Sequence, residues 1–94
     1  RNDFNRLICA QAAALESRHC YDDALLWYAR GLETDDLVEA MYQGTMRCHL
    51  QLGRRADALA AFQRLRRTLS SKLRTSPSAE SAALAARAEK QVVP

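Results

Sequence analysis

The sequence predicts an all-α domain made of two tandem helix–turn–helix repeats and closed by a fifth helix. Three observations predict it. Apolar residues recur at spacings of three and four along almost the whole chain, the period of a helix with one buried face. The pattern Ala24-Leu25-Leu26-Trp27-Tyr28 returns 34 residues later as Ala58-Leu59-Ala60-Ala61-Phe62. Breakers are scarce, with three glycines and two prolines in 94 residues, while Ala, Leu and Arg, which lose little on entering a helix, abound.

The first helix follows the stripe Phe4, Ile8, Ala12 and Leu15, with Asn2 or Asp3 placed to cap it. Ser17-Arg18-His19 breaks the stripe. The second helix carries Tyr21, Ala24, Leu25, Tyr28 and Leu32, and sets Asp22 and Asp23 where a helix N-terminus favours negative charge. After the break Thr34-Asp35-Asp36, the spacing of Asp36 and Glu39 predicts a capping box that opens the third helix. That helix holds Met41, Tyr42, Met46, Leu50 and Leu52, and Gly53 ends it by supplying a left-handed residue. The fourth is the cleanest: Ala58, Phe62, Leu65, Leu69 and Leu73. Ser76 suits an N-cap and Pro77 the first position of a fifth helix over about 78–91, whose sizeable apolar residues are Leu84 and Val92. The expected units are one domain over 1–94, with repeat one at about 4–35, repeat two at about 37–74 and a capping helix at about 77–91.

Composition narrows the function. An apolar share of 48% belongs to a globular chain, not a disordered one. The net charge of +3 and pI of 9.0 are too mild to indicate nucleic-acid binding alone, although Arg54, Arg55, Arg64, Arg66, Arg67, Lys72 and Arg74 crowd one stretch. On a helix these cations spread around the solvated side. Cys9, Cys20 and Cys48 make an odd set that no internal disulfide framework uses up, as expected for reduced thiols in the cytoplasm. No apolar run is long enough to span a membrane. A chain that opens at Arg1 and stops at Pro94 reads as a segment of a longer protein.

Ala24 with Tyr28 and Ala58 with Phe62 are the second-helix signature of the tetratricopeptide repeat, whose period is also 34 residues. The small alanine lets the two helices of a hairpin approach, and the aromatic fills the wedge toward the next repeat. Ala12 and Met46 occupy matching first-helix positions, while Asp36 stands where the repeat commonly has proline. The implied architecture is a tetratricopeptide-like right-handed superhelix of two repeats plus the capping helix.

A narrower resemblance runs through Leu52-Gly53-Arg54-Arg55-Ala56-Asp57-Ala58-Leu59, Phe62, Leu65-Arg66-Arg67, Leu69, Leu73, Pro77-Ser78-Ala79-Glu80 and Leu84. Over roughly Phe4 to Ala88 the chain resembles the bacterial transcriptional activator domain, the tetratricopeptide-like module of SARP-type antibiotic regulatory proteins and related regulators. Where that family carries a glycine and an apolar residue after Leu73, this chain has Arg74 and Thr75, so an extension of the fourth helix to Ser76 stays open. The resemblance implies a transcription regulator that contacts DNA through a separate domain.

Chemistry-bearing residues are few. His19-Cys20 and Cys48-His49 together offer two Cys and two His, but adjacent residues on a helix point about 100° apart and chelate poorly. His49 reads as a packing residue, and so does Trp27, which marks an interface if exposed. No glycine-rich phosphate loop and no Cys–His pair with an orienting third group is visible. No catalytic, metal or cofactor residue is expected, and no enzyme. In repeat register the first helices line a shallow inner face with Arg6, Cys9, Ala13 and Glu16, and with Gln43, Arg47 and Leu50. Arg6 and Arg47 there are suited to an acidic or amphipathic segment.

The expected function is a protein–protein interaction and oligomerisation module of a bacterial transcription regulator. Its partner would be a neighbouring domain, a sister subunit (a homodimer) or the transcription machinery. An adaptor unrelated to transcription is the alternative, and direct DNA binding through the arginines from Arg54 to Arg74 is a third reading. The fifth helix is expected to cover the open apolar end of the second repeat.

Overall fold

Five helices follow one another along the chain: α1 (Asn2–Ser17), α2 (Tyr21–Thr34), α3 (Glu39–Gln51), α4 (Arg55–Leu73) and α5 (Ala79–Lys90). The computed structural model describes residues 2–91, with the Asn2 side chain outside the description, and no strand occurs among the described residues. Consecutive helices pack on one another, α3 also touches α1 and α5, and the domain is a slab of 41 × 33 × 18 Å.

The buried stripes are those the sequence sets out. Ile8, Ala12, Ala24, Tyr28, Leu32, Met41, Tyr42, Cys48, Leu65 and Leu69 form the main core, joining α1 through α4. α3 lies at its centre: Met41, Tyr42, Met46 and Cys48 are fully buried although they point around the helix in several directions. A helix apolar on so much of its circumference is stable only when neighbours cover it on every side. Burying each such side chain contributes roughly 1.5–3 kcal/mol.

Two close approaches set the stacking of the hairpins. A Cβ built on Gly44 of α3 would fall inside the Tyr28 ring of α2. One built on Gly31 of α2 would collide with the Met41 thioether and lie 2.9 Å from Ile8 Cγ2. Ala24 and Ala58 are both fully buried, as the repeat signature requires, but their aromatic partners differ. Tyr28 is buried, whereas Phe62 is only half-buried. The residue 34 positions after Gly44 is Ser78, which precedes α5 and is no glycine.

Helix ends depart from the local expectation in three places, and a fourth end that the sequence left open is decided. Asp36 and Glu39 make no capping box: the N-cap of α3 is Val38, with no side-chain cap. The N-cap of α5 is Ser78, not Ser76; its Oγ accepts from the Ser81 N–H, and Pro77 lies outside the helix. α4 stops at Leu73, which is exposed, and does not run to Ser76. Arg74 takes the left-handed conformation there (φ 52°), and the Thr75 N–H returns to the Leu69 carbonyl at 3.3 Å. At the start of α1, Asp3 lies inside the first turn, not at the cap, while capping by Asn2 and burial of Val92 fall outside the described residues.

Gly53 does end α3, at φ 73°, with the Arg54 N–H on the His49 carbonyl (2.8 Å) and the Gly53 N–H on that of Leu50 (3.1 Å). His19, in the turn after α1, adopts φ 62° in the same manner.

Two substitutions check this account. Gly44→Ala is expected to lower unfolding stability by about 3 kcal/mol, the upper range of overpacking, in urea titrations. Arg74→Gly removes a left-handed non-glycine residue and is expected to raise stability by about 1 kcal/mol in the same assay; a loss would contradict the strain argument.

Candidate functional site

Side-chain bonds between helices form a locked polar seam and a clamp at α5, and an open groove lies beside them. The seam joins α1 to α3. Glu16, only 17% exposed, receives Arg47 at both carboxylate oxygens: Nε to Oε2 at 2.6 Å and Nη2 to Oε1 at 3.1 Å. Tyr28 Oη donates to the same Oε1 at 2.9 Å. A two-pronged guanidinium–carboxylate contact is strong and directional. The bond to Glu16 holds the Arg47 guanidinium above its usual range against the opposing effect of burial. Burial first, then the bond to Glu16, raises Tyr28.

The clamp explains why Glu39 does not cap its own helix. Its Oε2 accepts the Ser78 N–H at 2.8 Å and the Ser81 hydroxyl, tying α3 to the start of α5. Gln43 Nε2 donates to Ser81 Oγ at 3.0 Å. Farther along, Gln91 Nε2 donates to the Leu50 carbonyl and Arg55 Nε to the Ala88 carbonyl, both at 2.9 Å. Beneath these bonds Leu50, Ala58 and Ala88 are buried, with Leu59 and Leu84 against them. The fifth helix therefore covers the apolar end of the second repeat. Asp36 is likewise drawn away from α3: both its oxygens accept from Lys72 Nζ of α4, at 2.9 and 2.8 Å.

The residues read as an inner face are consequently divided. Glu16 and Arg47 come together in the seam. Gln43 and Leu50 lie under α5. Cys9 is half-buried against the main core. Arg6 is exposed near the start of α1, 3.9 Å from Asp3, and is not among the residues that bound the groove holding Glu16 and Arg47.

One groove that remains open is bounded by Ala13, Glu16, Ser17, His19, Tyr21, Arg47, Gln51 and Arg87, with a volume of about 380 Å³. Arg87 of α5 is the member sequence reasoning missed. It is exposed and has no ion-pair partner among the described residues. In an alanine-rich helix it reads as a solvated charge, and only the packing of α5 beside α3 brings it level with Arg47. Its one signal in the sequence is a lone arginine in the last turn of that helix.

The groups considered for chemistry serve packing. Cys48 is buried, and burial followed by the charge of Glu16 pushes its thiol up to about 12. Burial raises Cys9 also, and lowers His49 despite the opposing pull of Asp57. No cluster of three or more His, Cys, Asp or Glu suited to a metal occurs among the described residues. Trp27 packs against the main core, with Arg30 over its ring at 5.7 Å. No described helix is long and apolar enough to cross a membrane.

The model of one family, the bacterial transcriptional activator domain, matches residues 3–88. The chain belongs to that family. The match spans the four helices of the paired hairpins and most of α5, so it takes in Glu39, Gln43, Ser78 and Ser81 of the clamp as well as the two repeats. As a member, the chain is a domain of the kind found in bacterial transcription regulators. No curated protein matches the chain, and no solved structure does.

The clamp has a pH signature. Burial opposes ionisation of Glu39, but the hydrogen bonds from Ser81 and Ser78 prevail and hold its carboxyl below the ordinary 4.5. A lowered folded-state pKa stabilises the fold fully above the unfolded value, and that contribution is lost as pH falls through the folded one. Glu39→Gln is therefore expected to cost about 1 kcal/mol at pH 7. It should also flatten the decline in melting temperature below about pH 4.5. An acid limb as steep as that of the unmutated domain would place the titration elsewhere.

Proposed function

We propose that this domain is a protein–protein interaction and oligomerisation module of a bacterial transcription regulator, and that its α1–α3–α5 groove receives an acidic segment of the partner. The observation that carries the reading is the pair of guanidinium groups at the groove. Glu16 is matched by Arg47 and by the Tyr28 hydroxyl, which leaves Arg87 as an unmatched cation beside Ser17, Gln51 and the Tyr21 ring. A groove with an excess of donors and one unmatched positive charge favours carboxylates. Its apolar floor at Ala13 accommodates a small or aliphatic side chain between them.

Binding, not catalysis, suits the residues. Burial pushes the Cys9 and Cys48 thiols up, and the carboxylate–guanidinium pair at the groove is tied to a packing aromatic. Direct DNA binding is less well supported, because four of the seven cations from Arg54 to Arg74 are already engaged by other groups of the domain. Arg54 pairs with Asp22, Arg55 bonds the Ala88 carbonyl, Arg64 lies over Tyr42, and Lys72 holds Asp36. On this reading DNA is contacted by another domain of the regulator, in the cytoplasm. Family membership favours this over an adaptor role outside transcription.

The test is a titration of the isotope-labelled domain with a short peptide rich in Asp and Glu, followed by amide shifts. Expected are shifts grouped at Arg47, Gln51 and Arg87 that weaken with added salt. Arg87→Glu should reduce affinity by about tenfold, roughly 1.4 kcal/mol, without altering the melting temperature. Shifts confined to other surfaces, or none at millimolar peptide, would remove the groove from the proposal.

A further inference from the structure

Of the seven cations from Arg54 to Arg74, the fold engages four and leaves three over. Arg67 and Arg74 have no hydrogen-bond or ion-pair partner among the described residues, and Arg66 has only the Gln63 amide oxygen, at 3.2 Å. All three are exposed, on the side of α4 opposite buried Ala58, Leu65 and Leu69 or at its end. They border two adjoining hollows of about 430 and 550 Å³ that share Arg66 and Ser70. Ser70, Ser71 and Thr75, set among the arginines, are exposed, and their hydroxyls bond no other group of the described residues. No carboxylate borders either hollow. Asp36 and Glu39, the acids that α4 and α5 hold, are taken by Lys72 and by Ser78 and Ser81.

Guanidinium groups and short hydroxyls, with no carboxylate and no aromatic ring among them, are donors suited to phosphate oxygens. Their arrangement is linear. Arg66 and Arg67, then Ser70 and Ser71, then Arg74 and Thr75 follow one another about a helical turn apart, over roughly 12 Å at 1.5 Å per residue. A single phosphate calls for donors that converge on one point. A line of donors matches a line of phosphates, as along a nucleic-acid strand, where they advance about 3.4 Å each along the duplex axis. With no ring to stack on a base, such a face reads charge and not sequence.

From this line of unengaged cations and hydroxyls we propose that the outer face of α4 is a contact surface for the phosphate backbone of duplex DNA, without sequence preference. The proposal goes beyond the groove and shares no residue with it. Recognition of a particular DNA site stays with another domain of the regulator. Membership of a family of bacterial transcription regulators is what brings a duplex near this face. Three arginines neutralise about two or three phosphates, too few for firm binding by this domain alone. Their effect is to steady a domain that its neighbour already holds beside the DNA, where the effective concentration is high.

Fluorescence anisotropy of the 94-residue chain with a short mixed-sequence duplex, across a salt series that begins at low ionic strength, tests it. The logarithm of the binding constant is expected to fall against the logarithm of salt concentration with a slope of about −2 to −3. Arg67→Ala and Arg74→Gly should each bring that slope about 0.9 nearer zero and weaken low-salt binding severalfold. Arg74→Gly is the sharper test, because it is expected to stabilise the fold while it weakens the complex. Arg6→Ala removes an equal charge from α1 and should leave the slope unchanged. A duplex of shuffled sequence should bind as well as the first. Absence of binding at low salt, an Arg6→Ala effect equal to that of Arg67→Ala, or a clear sequence preference would overturn the proposal. So would a phosphoserine peptide that displaces the duplex at equal phosphate concentration, which would assign the face to a phosphorylated protein. None of these substitutions touches Arg47 or Arg87, so acidic-peptide binding by the same variants reports on the groove separately.

Discussion

Stacking of the two hairpins depends most on the tighter of its two close approaches, the Tyr28 ring lying directly on the backbone of α3 at Gly44. A side chain at position 44 would hold α2 away, and the buried apolar ring of Met41, Tyr42, Met46 and Cys48 would lose its cover on that side. The same tyrosine then reaches past α3 with its hydroxyl to fix Glu16, and Glu16 fixes Arg47. Apolar packing and polar orientation thus pass through a single side chain. The ring sets the separation of the helices and the hydroxyl sets the posture of the groove's ion pair.

The second repeat has no equivalent of this contact, and the fold closes there differently. Phe62 is only half-buried, and Ser78, the residue 34 positions after Gly44, lies in the connection before α5. α5 compensates with polar bonds: its cap residue, Ser81 and Gln91 tie it to Glu39, Gln43 and the Leu50 carbonyl, over a small apolar patch. An alanine-rich helix buries little area per residue, so directional bonds at both its ends do what side-chain volume does elsewhere. In this way a terminal helix ends a stack of repeats without leaving its apolar face in water.

That closure also redraws the surface available to a partner. The first helices of tandem repeats generally line a shared concave face, yet here α5 packs over Gln43 and Leu50, while the stretch between α1 and the end of α3 stays open. The open stretch gains a cation from the covering helix. For a domain of bacterial transcription regulators, a small polar groove with a preset ion pair fits recognition of a short segment better than burial of a large apolar surface.

The sequence alone determined the helices, their order, the 34-residue repeat and the stop at Gly53, because these follow from interactions within a turn or two of the chain. Hydrophobic period, alanine content and a left-handed glycine act locally and are legible locally. Tertiary structure alone decided which partners the carboxylates chose. Asp36 and Glu39 have the spacing of a capping box, yet each bonds a residue of another helix, Lys72 and Ser81, at sequence separations of 36 and 42. A carboxylate can satisfy a helix end or a distant donor, and the choice turns on geometry that only packing creates. For the same reason Arg87, and not Arg6, came to stand beside Arg47: its position was fixed by where α5 docks, which no local pattern records.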